Sequence, residues 1–444
     1  MGIVAKIRPF RLCTITKSRE AVAVFRICGI IAPEENTRRQ LMNHTLEVLY
    51  CRAFQAVLKI GNYAMGYRTP ECLEGPGKIR ELGAFLKEKH INDLFVVTGT
   101  RILGQGLAQP MLEGFQRAGI RYTLQCFDHP DPTSDDVEAG FQAYRAAGCK
   151  AIVALGGGSR IDCAKAIAAK AAQPRKTIAQ LQGLMKVHRP VPTLIAIPTT
   201  AGAGSETTVA AVITDSATHR KAAINDPVLI PQYAVLDPTL TTGLPPFTTA
   251  TTGMDALCHA VEAYVNHTYN TKLENHLCRQ AVKLIHDNLL MAFRDGANLE
   301  ARQNMQRAAF YAGRAFTRGC VGYVHAVGHT LGGLYGVPHG LAMAVLLPKV
   351  LARYGCAAEK RLSELADVCG IPGKTRAEKA AGFLRWIEES SKAMGLPDSF
   401  PEISEEDADK MITWARKEAN PLYPVPVIWS REDFRQLIEQ VRMP

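Results

Sequence analysis

The strongest constraint on the fold is a change of pattern near Pro245. From residue 53 to residue 245, short apolar and β-branched runs alternate with helical stretches. The strand-like runs fall at 93–98, 122–127, 151–155, 193–197, 210–214 and 233–236, and the helical ones at 77–89, 133–147 and 161–172. Strands alternating with helices at this spacing predict a mostly parallel sheet in a doubly wound layer. After Pro246 the strand signals nearly vanish. Amphipathic helical patterns fill 254–265, 273–295, 299–317, 358–369 and 379–394, with turns at 370–373 and 420–426. The expected architecture is a Rossmann-like α/β domain over 44–245 and an all-helical domain over 246–444, with the site in the cleft between them. A chain of 444 residues is long for one core, which agrees with two domains.

Residues 1–43 read differently from the rest. Eight Lys/Arg against three Glu lie within residues 1–41, half of the net charge of +10. The expectation is a loose extension or an Arg-rich, acid-poor targeting presequence. The first places the protein in the cytoplasm, the second in the mitochondrial matrix. The remaining charge forms no dense basic patch with interleaved aromatics, so nucleic acid is not an expected partner. No apolar run reaches the roughly 18–20 residues of a membrane span, and residues 21–32 are interrupted by Arg26. Twelve cysteines are scattered without a CxxC pair, which suits a reducing compartment and argues against a disulfide scaffold.

Three segments carry chemistry. Residues 151–165, AIVALGGGSRIDCAK, form a buried strand, three glycines and a helix start, where backbone N–H groups and the helix dipole favour an anion. The GxGxxG spacing is missing, so this loop alone indicates no more than an anion near a helix N-terminus. Asp162, in the first turns of that helix, suits its dipole. Residues 197–208, IPTTAGAGSETT, are a second small-residue turn after a strand; two such turns on one carboxyl edge favour a nucleotide across it. Then come the histidines. Asp255 and His259 are four apart in TGMDALCHAVEAY, and His325 and His329 are four apart in VHAVGHTLGGLYGVPHG, with His339 beyond Pro338. Residues four apart on a helix share a face. One carboxylate and two or three imidazoles suit a divalent first-row metal, although helical spacing allows either His325 or His329 to bind. Cys258 lies about 100° around the helix from His259 and reads as packing; Glu262 reads as orienting a neighbour.

In order and spacing, GGGSxxDxAK, PTTAGxGSE, ATTGMDALCHAVEAY and HAVGHTLGGLYGVPHG, with LIPQYAVLDPTLTTGLPP between them, resemble the iron-containing (group III) alcohol dehydrogenase family. The likeness spans about residues 55–444 and implies the dehydroquinate synthase-like architecture. It implies metal ligands at Asp255, His259, His325 and His339. His329 falls at the family's histidine beside the nicotinamide, which is not a ligand and either relays a proton or positions the ring. Gly157, Gly158 and Ser159 match its pyrophosphate loop, and Thr199, Thr200, Thr208 and Lys221 match positions around the ribose and nicotinamide.

One position departs from the pattern. Where many members carry an aspartate for the adenosine ribose, this chain has Gly99, followed by Thr100 and Arg101. A carboxylate there repels a 2′-phosphate and glycine does not, so NADP(H) is expected to be accepted alongside NAD(H). The expected activity is a metal-dependent alcohol dehydrogenase or aldehyde reductase acting on a small alcohol or aldehyde. Three imidazoles and a carboxylate are compatible with Fe(II), Zn and other divalent ions, so iron comes from the resemblance. A homodimer or larger assembly is common in such a family. The alternatives on the same fold are a hydroxyacid-oxoacid transhydrogenase, a dehydroquinate synthase-like lyase, and a scaffold without turnover.

Overall fold

The computed structural model describes residues 44–129, 131–217, 221–400 and 403–442; the expectation for 1–43 lies outside the described residues. The first half runs α1 (His44–Ala64), β1 (Glu71–Glu74), α2 (Leu82–Glu88), β2 (Asp93–Thr98), α3 (Thr100–Gly104), α4 (Gln109–Ala118), β3 (Arg121–Cys126), α5 (Ser134–Ala147), β4 (Ala151–Gly156) and α6 (Gly158–Ala172). It continues through α7 (Ile178–Leu181), β5 (Gly183–Leu184), β6 (Thr193–Pro198), β7 (Ala210–Thr214), β8 (Lys221–Asn225) and β9 (Tyr233–Leu236).

Side-chain alternation along β2 explains why helices cover both faces of the layer. Leu94 and Val96 turn to one side, where they join Leu82 and Leu86 of α2 and Met111 and Phe115 of α4. Phe95 and Val97 turn to the other, against Val137 of α5 and Ile161, Ala164 and Ile167 of α6. The main sheet has the order β1-β9-β6-β4-β2-β3, and every pair in it is parallel. The order in which successive strands are laid down therefore reverses between β2 and β4, where the connections after the two neighbouring strands diverge and leave a crevice.

A second sheet, with the unexpected strands β5 and β8, and the edge strand β1 depart from the expectation. The run at 210–214 does form β7, but it pairs antiparallel with β8 in a separate three-stranded sheet with β5. The edge strand β1 was not anticipated, because ECLE carries no apolar alternation; its parallel register with Tyr233–Leu236 supplies the structure.

The second half consists of α8 (Pro246–Asn266), α9 (Lys272–Arg294), α10 (Leu299–Gly319), α11 (Tyr323–Tyr335), α12 (His339–Tyr354), α13 (Cys356–Cys369), α14 (Arg376–Ala393), α15 (Glu405–Ala419) and α16 (Arg431–Val441). They share one large core, in which α8 is buried along nearly its whole length from Thr249 to Asn266. The halves are joined through α10: Gln306 donates to the carbonyls of Pro198 (3.3 Å) and Asp237 (3.2 Å), and Arg307 pairs with Glu74. Helix α1, grouped with the α/β half by its place in the chain, makes its hydrogen bonds to the helical half instead. Arg52 donates to the carbonyls of Val425 (2.9 Å) and Pro426 (2.8 Å). Among the described residues no helix is long and apolar enough to cross a membrane.

Candidate metal and nucleotide site

A cleft of about 550 Å³ opens between the halves, at the carboxyl ends of β4 and β6. On the sheet side β4 ends at Gly156, and Gly157, in extended conformation, caps α6. Gly157, Gly158 and Ser159 all line the cleft. A Cβ on Gly158 would lie 2.8 Å from that of Ala203, so the two small-residue turns pack with no room for larger side chains. Asp162 braces the arrangement: it accepts the Ser205 hydroxyl (2.5 Å) and the Val212 N–H (3.0 Å), tying the second turn and β7 to α6.

The expected nucleotide contacts divide into two groups. Thr200, Thr208 and Lys221 line the cleft. Thr208 is held by the buried Lys165, whose ammonium donates to its carbonyl (2.8 Å), its hydroxyl (2.9 Å) and the Ala210 carbonyl (2.9 Å). Lys221 pairs with Asp131 at 2.6 Å. Thr199 and Gly99 are not in the lining. Thr199 is buried behind the turn with its N–H on the Gly156 carbonyl (3.0 Å), so its part is to join β6 to β4. Gly99 caps α3 beside the crevice, and a Cβ there would meet the Phe127 carbonyl at 3.4 Å and Arg160 Nε at 3.5 Å. The cation whose side chain lies against Gly99 is thus Arg160, to which the sequence reading assigned no part. Arg160 donates one Nη to the His129 carbonyl, while its other Nη is buried without a partner. Its place directly after the GGGS loop was the available signal.

On the helical side, Asp255 and His259 leave one face of α8, His325 comes from the first turn of α11, and His339 opens α12. Each can offer one ligand atom such that all four atoms lie within 4.8 Å of one another. The Asp255 Oδ1 is 3.3 Å from His339 Nε2, 3.8 Å from His259 Nδ1 and 3.9 Å from His325 Nε2. Asp255 Oδ1, His259 Nδ1 and His325 Nε2 are all buried without a hydrogen-bond partner. Orphaned buried acceptors are costly, and a cation at their centre would satisfy all three. The protonation states agree. Burial pushes His259 down to about 3 and His325 well below its ordinary value, so both are neutral imidazoles with a lone pair to give. Burial alone would raise the Asp255 carboxyl, but His259 and His339 outweigh it and hold the group well below the usual carboxylate range. The donor set fits a divalent ion.

Tertiary contacts separate His325 from His329. His325 donates its Nδ1–H to Glu262 (2.6 Å), a carboxylate that also accepts the Val324 N–H (2.8 Å), so its Nε2 is left facing the cluster. His329 donates its Nδ1–H to Glu418 on α15 (2.8 Å), which also accepts the Tyr423 hydroxyl (3.0 Å). Burial lowers the His329 pKa, but Glu418 more than offsets this and raises it. Its ring stacks on that of His339, with centroids 5.3 Å apart, and lines the cleft without joining the four-residue cluster. Glu418, remote in sequence, had no local signal. Cys258 sits 3.7 Å from His325 Nδ1 and 3.8 Å from Glu262, but burial holds its thiol far above the ordinary range, so it packs as a neutral side chain.

Comparison with known proteins points the same way. Residues 69–238 match the family model "Iron-containing alcohol dehydrogenase", and residues 249–441 match "Fe-containing alcohol dehydrogenase family, C-terminal". An NAD-dependent methanol dehydrogenase of Bacillus methanolicus is 36% identical over 77% of this chain and 89% of its own length. A 1,3-propanediol dehydrogenase of Klebsiella pneumoniae is 37% identical over 72% of this chain and 84% of its own. Among solved structures, a 1,3-propanediol oxidoreductase superposes with a TM-score of 0.80 at 33% identity, covering 85% of this chain and 99% of that one. A sulfoacetaldehyde reductase from Bifidobacterium kashiwanohense, in complex with NAD+, gives a TM-score of 0.75 at 28% identity.

Proposed function

The chain belongs to the iron-containing alcohol dehydrogenase family, an oxidoreductase family acting on alcohols, and on that premise we propose that it is a metal-dependent, nicotinamide-linked alcohol dehydrogenase or aldehyde reductase. The observation that carries this reading is the convergence of Asp255, His259, His325 and His339, with three buried atoms lacking partners, across the cleft from the Gly157–Ser159 turn. A divalent ion held by these four side chains would supply Lewis acidity, easing loss of an alcohol proton in one direction and polarising a carbonyl in the other. A nicotinamide cofactor on the Gly157 and Thr200 turns would supply the hydride.

The chain's own residues do the rest. Asp255 contributes the one negative charge of the donor set and draws a cation into a buried place. Glu262 fixes the His325 ring and its tautomer, leaving Nε2 as the donor nitrogen. Glu418 does the same for His329, leaving Nε2 available to the cleft, where it can take up or return the hydroxyl proton of the substrate. The apolar walls exclude bulk water and strengthen these interactions. Gly99, together with an Arg160 guanidinium that has a free N–H, supports acceptance of NADP(H) as well as NAD(H).

The test uses metal-stripped protein under anaerobic conditions. Fe(II) and then Zn(II) are added, and NADPH and NADH absorbance is followed with butanal. Metal-dependent consumption of either cofactor is the expected result. No consumption with any metal over a broad aldehyde panel would overturn the reading in favour of a transhydrogenase that recycles its nicotinamide internally.

A further inference from the structure

Helix α1 ends at Ala64, before residue 69, where the match to the family model begins, yet it forms part of the cleft. Its buried stripe is Cys51, Gln55, Leu58, Gly61 and Asn62, the spacing of one helical face. That face is tied down from both ends of the cleft's outer wall. Gln55 donates to the carbonyls of Pro421 (3.1 Å) and Tyr423 (2.9 Å). Arg318 donates to the Asn62 carbonyl (2.7 Å), and the Asn62 amide donates back to the Arg318 carbonyl (3.3 Å). These ties place Leu58 and Met65 in one apolar cluster with Cys320 and Leu422, and all four line the cleft. Phe316, stacked flat on His259 with centroids 4.2 Å apart, carries the apolar wall up to the ligand cluster.

The polar groups in this wall are already satisfied. The Tyr67 hydroxyl donates to Asn62 Oδ1 at 2.6 Å. Arg314 and Arg318, the nearby guanidiniums, do not line the cleft; they lie 3.4 and 3.3 Å from the buried carboxylate of Glu274. Lys221, the one Lys or Arg lining the cleft among the described residues, faces Asp131 on the nucleotide side. Among the described residues, no Lys or Arg on the α1 side lines the cleft to pair with a substrate carboxylate, and burying one unpaired is prohibitive.

We propose that α1 is the substrate-selecting wall of the cleft, with Leu58 and Met65 closing a chamber for primary alcohols and aldehydes that carry an uncharged, apolar chain. This rests on the alcohol dehydrogenase reading above and names the substrate class for it. Each methylene laid against the wall should raise kcat/KM by about fourfold, from about 0.8 kcal/mol per buried CH2. The rise stops where the chain meets Leu58 and Met65.

The experiment measures kcat/KM of the full chain, loaded with metal, for straight-chain primary alcohols from ethanol to octanol, and for 4-hydroxybutyrate against butanol. The octanol-to-ethanol ratio is the readout. Leu58→Trp should lower that ratio at least tenfold, and Leu58→Ala or Met65→Ala should raise it; 4-hydroxybutyrate should fall at least a hundredfold below butanol. Far-ultraviolet circular dichroism identifies any variant that fails to fold, and the two alanine variants then carry the test. If the alcohols turn over but the ratio is the same in every folded variant, or 4-hydroxybutyrate matches butanol, the assignment of α1 is overturned. If no alcohol turns over at all, the functional reading beneath it falls instead.

Discussion

Glu262 and His325 are joined by a 2.6 Å hydrogen bond in a place where both side chains are almost wholly shielded, at 2% exposure each. Burial pushes the Glu262 carboxyl up to about 7, and the same carboxyl holds both the His325 Nδ1 and the Val324 N–H. The imidazole therefore cannot turn. Removing the carboxylate with Glu262→Ala should weaken metal binding by about 10–100-fold, as loss of such outer partners does elsewhere. Chelator competition measures it, and Glu262→Gln, which keeps the shape, should lose less. Unchanged affinity in both variants would remove Glu262 from the site.

The approach of α12 to α8 rests on Gly340. A Cβ there would stand 2.2 Å from the Thr251 carbonyl, a backbone atom that cannot swing aside. Gly340→Ala should therefore push out the helix start that carries His339, costing about 1–3 kcal/mol as overpacking does. The expected signature is a lower Tm together with weaker metal retention, read by calorimetry and metal analysis. A lower Tm with full metal content would show that His339 is held by something other than this contact.

Glu274 has the opposite character, a buried carboxylate held ionised. Burial alone would raise its pKa, but hydrogen bonds from Thr271 and the guanidiniums of Arg318 and Arg314 outweigh burial and lower it. A depressed folded-state value means that its stabilisation is present above the unfolded pKa of about 4.3 and is lost as pH falls through the folded one. The Tm of the wild type should thus fall more steeply below about pH 4 than that of Glu274→Gln. At neutral pH, Glu274→Ala leaves two buried guanidiniums unpaired and should cost about 3–5 kcal/mol. Parallel pH profiles for wild type and Glu274→Gln would refute the assignment.

Cofactor choice turns on the neighbourhood of Gly99. Arg160→Ala removes the guanidinium that lies against it and should lower NADPH affinity relative to NADH by about tenfold, the worth of one charge-assisted hydrogen bond. Gly99→Asp should shift the balance the same way by placing a carboxylate against that guanidinium. Fluorescence titration with both cofactors reads each ratio. NADH favoured more than tenfold in the wild type would count against NADP(H) acceptance from the outset.

Much of this was legible from residue order, because backbone periods are local. The alternation of Leu94, Phe95, Val96 and Val97 shows a strand buried on both faces, and it packs that way. The four-residue spacing of Asp255 and His259 puts both on one face of α8, where the structure has them. What the sequence could not decide was partnership, since pairing is a long-range choice. The polar run ECLE becomes β1 because Tyr233–Leu236 lies alongside it, and β7 leaves the main sheet because β8 does. Spacing alone left His325 and His329 equivalent. Tertiary packing distinguishes them, bringing Glu262 to one and Glu418, 89 residues away, to the other. Local geometry sets which face a side chain leaves from, and the assembled core alone sets what it meets.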